Sequence, residues 1–522
     1  MIKNIGYLNS NFLTQAKKLF LYLAIFLLAF GIRVLFINSN PTPQVDEAAS
    51  FFISTPNKKD SEGELFKTSE NYYKLNLKQP TYKGKDLNNL LFQPEHTIEG
   101  LFNDLSSIRL QKLDRPHPCL YYTFARIWNH NLGEFHKDIY LKHLRSLNLV
   151  FFIFSFFYMY KLLSLIKKDD IFISTGLIFA FLNVGTIVNC VLAREYALQE
   201  TLFIVTTYIG IKLLKQINEN KTISIKQSIL YSIGFSLFLV SGYFAFIYFA
   251  LLFILFFAKI IFNKSKHNLI IITLTLLTTF IMTIVLCPNY FDFKTENSHY
   301  STILSHFMNI ASYNNNFLNE SFIYLIKYLF YPVLVSLITF CTFFNIYASA
   351  EKNELNISNP KQNLYTILFI AFAWVIIAMN LAPYQNLRFI SPALPVLAII
   401  YPLIMNQWKK ISKILLVLIF LTITFKTITS PNWLDYDRIR YTPNLSDKIY
   451  PIVLVEPNYF AMTYSFFNIP PNTVVHITKE IPKTTYKLKR YNLVCGSSSL
   501  ADLKPLCTKF FFNVYIHFIF NK

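Results

Sequence analysis

Apolar runs of bilayer length recur along this chain, and no other feature narrows its fold as much. Crossing the hydrocarbon core takes about 20 predominantly apolar residues per helix. In lipid every backbone N–H and C=O must be paired within the protein, so such runs take the helical form. The runs fall at 17–38, 144–165, 171–190, 197–214, 227–242, 244–262, 268–287, 321–346, 364–382, 389–406 and 412–429, eleven spans in all. Composition agrees: 53% of the 522 residues are hydrophobic and 15% are charged, against roughly 25% charged in soluble domains. The first run is too long for a signal-peptide core and lacks a small-residue cleavage pattern, so it reads as a retained span.

Lysine sets the orientation. Lysines gather at 3–18, 161–168, 212–226, 259–266, 352–361 and 409–413, while the short loops at the other ends of the spans hold little besides Arg194, Lys294 and Arg388. By the positive-inside rule this alternation puts the N-terminus in the cytoplasm. It also explains the net charge of +20 without nucleic acid, for which no basic stripe or reading module is present. Residues 1–429 then form a transmembrane domain, with 39–143 as a long first extracytoplasmic loop and 430–522 as a small C-terminal extracytoplasmic domain. Within the first loop, Leu120 to Leu132 is apolar on one side and too short and charged to span, which reads as an amphipathic helix on the outer surface. The C-terminal part mixes short β-prone runs (452–455, 473–477, 491–494) with proline turns, an α/β or mostly β pattern. Cys119, Cys190, Cys287 and Cys341 are scattered, and no cysteine has metal-ligand spacing. Cys495 and Cys507 share the C-terminal region, where they either pair as a disulfide or remain two thiols.

On this topology the polar outliers share one side. Asp46, Glu47, His117, Arg145, Arg194, Glu195, Tyr196 and Arg388 all fall at or near outer span ends, and Arg33 lies late in the first span. Each alone reads as an interfacial anchor or a snorkelling side chain. Together they point to an anion: lysine dominates the basic residues, yet these positions hold arginine, whose fork fits phosphate oxygens. An unpaired charge at bilayer depth costs roughly 2.5–3.5 kcal/mol, so Arg33 needs an interface or an anionic partner.

Several of these stretches resemble the polyprenyl-phosphate-sugar-dependent glycosyltransferases of the GT-C fold, a group that includes protein O-mannosyltransferases, lipid A aminoarabinose transferases and bacterial relatives. Arg33 followed by Asp46-Glu47 resembles the family's first-span arginine and first-loop Asp-Glu. His117-Pro118-Cys119-Leu120-Tyr121-Tyr122 is similar to its His-Pro-Pro-Leu-Tyr-Tyr, with Cys119 in place of the second proline. Arg145 matches an arginine opening the second span, and Ala193-Arg194-Glu195-Tyr196-Ala197-Leu198 resembles an Ala-Arg-x-Tyr-x-Leu segment. Arg388-Phe389 with Pro392 and Pro395 resembles a late Arg-Tyr segment followed by two prolines. The likeness covers 30 to about 215, and 385–400 more loosely.

The resemblance implies an integral protein of the bacterial inner membrane that moves one sugar from a polyprenyl-phosphate carrier to a hydroxyl of a glycan, lipid or protein, with inversion, on the periplasmic or exterior face. Asp46 takes the role of base, and Glu47 orients it or binds acceptor. Arg194 and Arg388 bind the donor phosphate, with Arg33 and Arg145 behind them, and Tyr196 and His117 hydrogen-bond the phosphate or sugar. No cofactor is specified; adjacent carboxylates suit a divalent cation, but no ligand set is spelled out. The rivals are a transporter or lipid flippase, a polyprenyl-diphosphate-dependent oligosaccharide ligase, and a structural subunit that has lost activity. Transporters often show repeated halves and broken helices. The sequence shows neither.

Overall fold

The computed structural model describes residues 2–39, 45–55, 59–60, 63–64, 81–110, 118–288, 290, 359–381, 389–406, 408, 410–429, 452–455, 472, 474–478, 491–495 and 514–518. Helices dominate. In chain order they are α1 (Ile2–Ser39), α2 (Val45–Ser54), α3 (Gly84–Phe92), α4 (Ile98–Leu110), α5 (Leu120–Trp128) and α6 (Lys137–Ile166), followed by α7 (Asp170–Phe181), α8 (Val184–Val191), α9 (Tyr196–Asn218), α10 (Ile225–Leu239), α11 (Ala245–Phe262) and α12 (Lys266–Leu286). Helical pieces follow at Asn359–Leu381, Ser391–Met405 and Lys410–Ile428.

Among the described residues six helices are long and apolar enough to cross a membrane, and the bent pair α7–α8 makes a seventh if counted as one span. The protein is therefore a helical, membrane-embedded one. The expected span at 321–346 lies outside the described residues. The expected span at 389–406 is not one continuous helix: a 3-10 turn at Ser391–Ala393 is followed by short helices Leu394–Leu397 and Ile400–Met405. Pro392, Pro395 and Pro402 each lack the N–H that an uninterrupted ladder requires.

The span expected at 171–190 is also broken, by 56° between α7 and α8. Asn183 supplies the reason. Its side chain accepts from the Gly185 N–H at 2.8 Å and its carbonyl accepts from the Thr186 hydroxyl at 2.9 Å, which starts a new helix. Gly185 leaves the space that the Leu394 side chain fills. All eight residues of α8 are buried.

Helix α9 is the hub, with 78% of its apolar window buried. It packs on α6, α8, α10, α11 and both the 359–381 and 391–397 segments. Short polar side chains join the helices where lipid-like surfaces would otherwise offer no preferred register. Ser155 and Thr201 hydroxyls meet at 2.7 Å between α6 and α9, Thr207 and Tyr248 at 2.9 Å between α9 and α11, and Ser228 and Thr275 at 2.8 Å between α10 and α12.

The strands β1 (Lys59–Asp60) and β2 (Gly63–Glu64) form a small antiparallel pair. The other five are β3 (Thr81–Lys83), β4 (Ile452–Val455), β5 (Val474–Thr478), β6 (Tyr491–Cys495) and β7 (Val514–Phe518), which form one sheet in the order β3-β5-β4-β6-β7. The four C-terminal strands pair in parallel, and β3 closes one edge antiparallel to β5. The first loop thus donates a strand to the sheet, so the boundary drawn at residue 430 does not separate all of its strands. Cys495 ends β6, and Cys507 lies outside the described residues.

Candidate functional site

The first acidic dipeptide sits on α2, a ten-residue helix that follows α1 after a short connection. Glu47 is fully buried, and its carboxylate is held from two directions. Arg145 of α6 donates from both Nε and Nη2, each at 2.8 Å, to the two carboxylate oxygens. The backbone N–H of Ala193, in the turn between α8 and α9, donates to Glu47 Oε1 at 2.8 Å. A bidentate arginine–carboxylate pair fixes direction as well as distance. Three parts of the chain are locked together at this point.

Arg194 follows directly in the same turn. Its Nη1 lies 3.4 Å from the Ser50 hydroxyl, on the α2 face that carries Glu47, and 3.3 Å from the Tyr122 hydroxyl of α5. Its Nε stands 3.1 Å from Glu195 Oε2, and both side chains are buried. Tyr196 opens α9 and is buried too. The neighbouring Tyr121, ring-stacked edge-on with Tyr122, has its phenol pushed well above the usual range by burial and by the nearby Glu195 carboxylate. The helix α2 passes through Asp46, whose side chain lies outside the described residues. His117 and Arg388 lie outside them as well. Phe389, next to Arg388, packs edge-on against Phe244, and Ser391 donates to Asn189 of α8 at 2.6 Å.

Arg33 is fully buried and meets a different set of groups. Its Nη1 donates to the Ala29 carbonyl at 2.9 Å, its Nη2 lies 3.4 Å from the Thr186 hydroxyl, and its guanidinium stacks 4.1 Å from the Phe152 ring centroid. The same region contains Glu200 of α9, which accepts from Asn189 Nδ2 at 2.8 Å and completes a Ser391–Asn189–Glu200 chain. Arg33 and Glu200 interact electrostatically. Sequence reasoning did not single out Glu200. The signal was present, since an acid inside an apolar run marks a functional or paired position.

The first loop is secured by its own ion pair. Arg126 of α5 donates from Nε to Asp104 of α4 at 2.6 Å, both side chains out of solvent, and from Nη2 to the Glu95 carbonyl at 2.7 Å. The expected surface helix at Leu120–Leu132 corresponds to α5, and it is double-sided. Tyr121, Tyr122 and Arg126 face inward, while Phe124, Ile127 and Trp128 stay exposed. Among the described residues no three His, Cys, Asp or Glu side chains gather closely enough to hold a metal ion. Comparisons with protein-family models and with curated proteins find no match to this chain.

Proposed function

We propose that this protein is a membrane glycosyltransferase of the GT-C type, which moves a single sugar from a polyprenyl-phosphate donor to a hydroxyl on the extracytoplasmic face of a bacterial inner membrane. The observation that carries the reading is the α2 junction. The Asp46-Glu47 helix and the Ala193-Arg194 turn are 146 residues apart in sequence, yet they are joined through the Glu47 carboxylate and the Ala193 N–H. A reaction with an anionic leaving group needs a base beside the acceptor and cations beside the departing phosphate, and this junction brings the acidic helix and the arginine-bearing turn to one place.

In this scheme Asp46 takes the acceptor proton as the glycosidic oxygen bonds to the anomeric carbon, and the carrier phosphate departs with the bonding electrons. Glu47, with its oxygens engaged by Arg145 and Ala193, is a positioning residue that sets the angle of α2. Arg145 is then its partner rather than a phosphate ligand. Arg194 is the donor-phosphate cation: Glu195 holds its Nε, and a phosphate oxygen forms a charge-assisted bond at Nη1 in place of the neutral Ser50 and Tyr122 hydroxyls. By the resemblance Arg388 is a second phosphate cation and Tyr196 and His117 hydrogen-bond the phosphate or sugar, and eleven spans remain the full count. The test is mass spectrometry of envelope glycans, lipids and proteins from cells carrying wild type or Asp46→Asn. Loss of one sugar, with transfer reduced about 10²–10⁴-fold and the protein still inserted, supports the reading. Full transfer by Asp46→Asn removes it.

A specific observation favours one rival. The α7–α8 break and the interior Glu200–Asn189–Ser391 chain are features that transporters and flippases also use. Purified protein in proteoliposomes separates the two, since a flippase moves labelled lipid across the bilayer without forming a glycosidic bond.

A further inference from the structure

Two thiols far apart in sequence meet where the first loop touches the bundle. Cys119 precedes α5 and Cys287 ends α12, and both are buried. The Cys119 sulfur lies 3.5 Å from the Leu286 carbonyl, on the peptide bond that leads into Cys287, and the two thiols interact electrostatically. The contact is embedded in a docked surface. Arg109 at the end of α4 donates to the Val285 carbonyl at 2.9 Å, and the Tyr290 N–H donates to the Cys287 carbonyl at 2.9 Å.

We propose that Cys119 and Cys287 form a disulfide that clips α5 to the end of α12. A sulfur that already touches the peptide bond of the other cysteine needs only a small shift to reach the separation that bonded cysteines require. The lysine pattern places this end of the bundle outside the cytoplasm, in a space where disulfides form and persist. The reaction is thiol–disulfide exchange with an external protein or small-molecule disulfide. One cysteine thiolate attacks that disulfide and expels a thiolate. The second cysteine thiolate attacks the mixed disulfide and expels the other, so two protons and two electrons leave the pair and the external disulfide becomes a dithiol. The neighbouring Cys287 thiol and burial push the Cys119 thiol well above its ordinary range, which slows exchange once α5 is docked on α12. The clip holds the helix that brings Tyr122 to Arg194, but it does not rest on the glycosyl-transfer reading.

The experiment uses the full chain. Membranes are quenched with N-ethylmaleimide, the protein is solubilised without reductant and digested, and the peptides are mapped by mass spectrometry. A linked Cys119–Cys287 peptide that separates only on reduction is the expected result, with Cys190 recovered as a maleimide adduct after denaturation. Recovery of Cys119 and Cys287 as separate adducts without reduction overturns the clip and leaves the Asp46→Asn test untouched. Cys119→Ser, Cys287→Ser and the double variant should lower the midpoint of thermal unfolding in detergent by the same amount, because each opens the same bond. A double-variant shift equal to the sum of the single shifts also overturns it.

Discussion

The two ends of the helix bundle are both charged, but they use charge in opposite ways. At the lysine end, Lys18 pairs with Asp170 at 2.9 Å and Lys221 with Glu219 at 2.6 Å, all with substantial exposure. Such pairs gain about 0–1 kcal/mol, because water and salt screen them. At the opposite end, Glu47, Arg145 and Arg194 are out of solvent, and their partners come from α2, α5, α6 and the α8–α9 turn. There the charges cannot be relieved by water, so each depends on its partner. The lysine end therefore leaves its charges to water, and the arginine end fixes a geometry.

Variants at each end test that contrast. Glu47→Ala strands Arg145 without its carboxylate, and we expect a loss of roughly 3–5 kcal/mol, read as a large drop in the thermal-unfolding midpoint or in monodisperse yield. A loss no greater than that of a surface pair would erase the difference between the two ends. Asn183→Ala removes the side-chain cap of α8 and should cost about 1 kcal/mol. A neutral result would mean that the break between α7 and α8 is set by packing alone. Lys18→Ala should cost under about 1 kcal/mol, with the effect shrinking further in high salt.

The smallest effect is one of pH. The hydrogen bond from Lys221 holds the Glu219 carboxyl below its ordinary range. A depressed acid stabilises the fold above its unfolded value and loses that contribution as pH falls through the folded one. Lys221→Ala should return the Glu219 titration toward the ordinary carboxylate range by NMR of labelled glutamate. An unchanged midpoint would show that the pair is not formed.

Much of this architecture was legible in apolar runs, because span length and lysine placement follow from the solvent rather than from tertiary detail. Helices α1, α6, α9, α11, α12 and the one at Lys410–Ile428 lie where hydropathy puts them. What failed was continuity. Three prolines divide 389–406, and Asn183 restarts the helix inside what reads as a single run; both signals are local and were outweighed by average hydrophobicity. The site was legible in part. Grouping Glu47 with Arg145 and Arg194 on one side matched the geometry, but the pairing of Glu47 with Arg145 is a tertiary fact that no spacing encodes. Glu200 was hidden by its apolar neighbours, and β3 by its distance in sequence from the sheet it joins.

Whether the acidic helix is held against α6 is read most directly from a double-mutant cycle between Glu47 and Arg145. Glu47→Gln, Arg145→Met and the double variant are compared by unfolding in detergent. We expect a coupling between about 0.5 and 3 kcal/mol, with the double variant more stable than Arg145→Met alone, because it no longer buries an unpaired carboxylate. Effects that simply add would mean that Arg145 does not hold α2 against α6, and the proposed site would lose its frame.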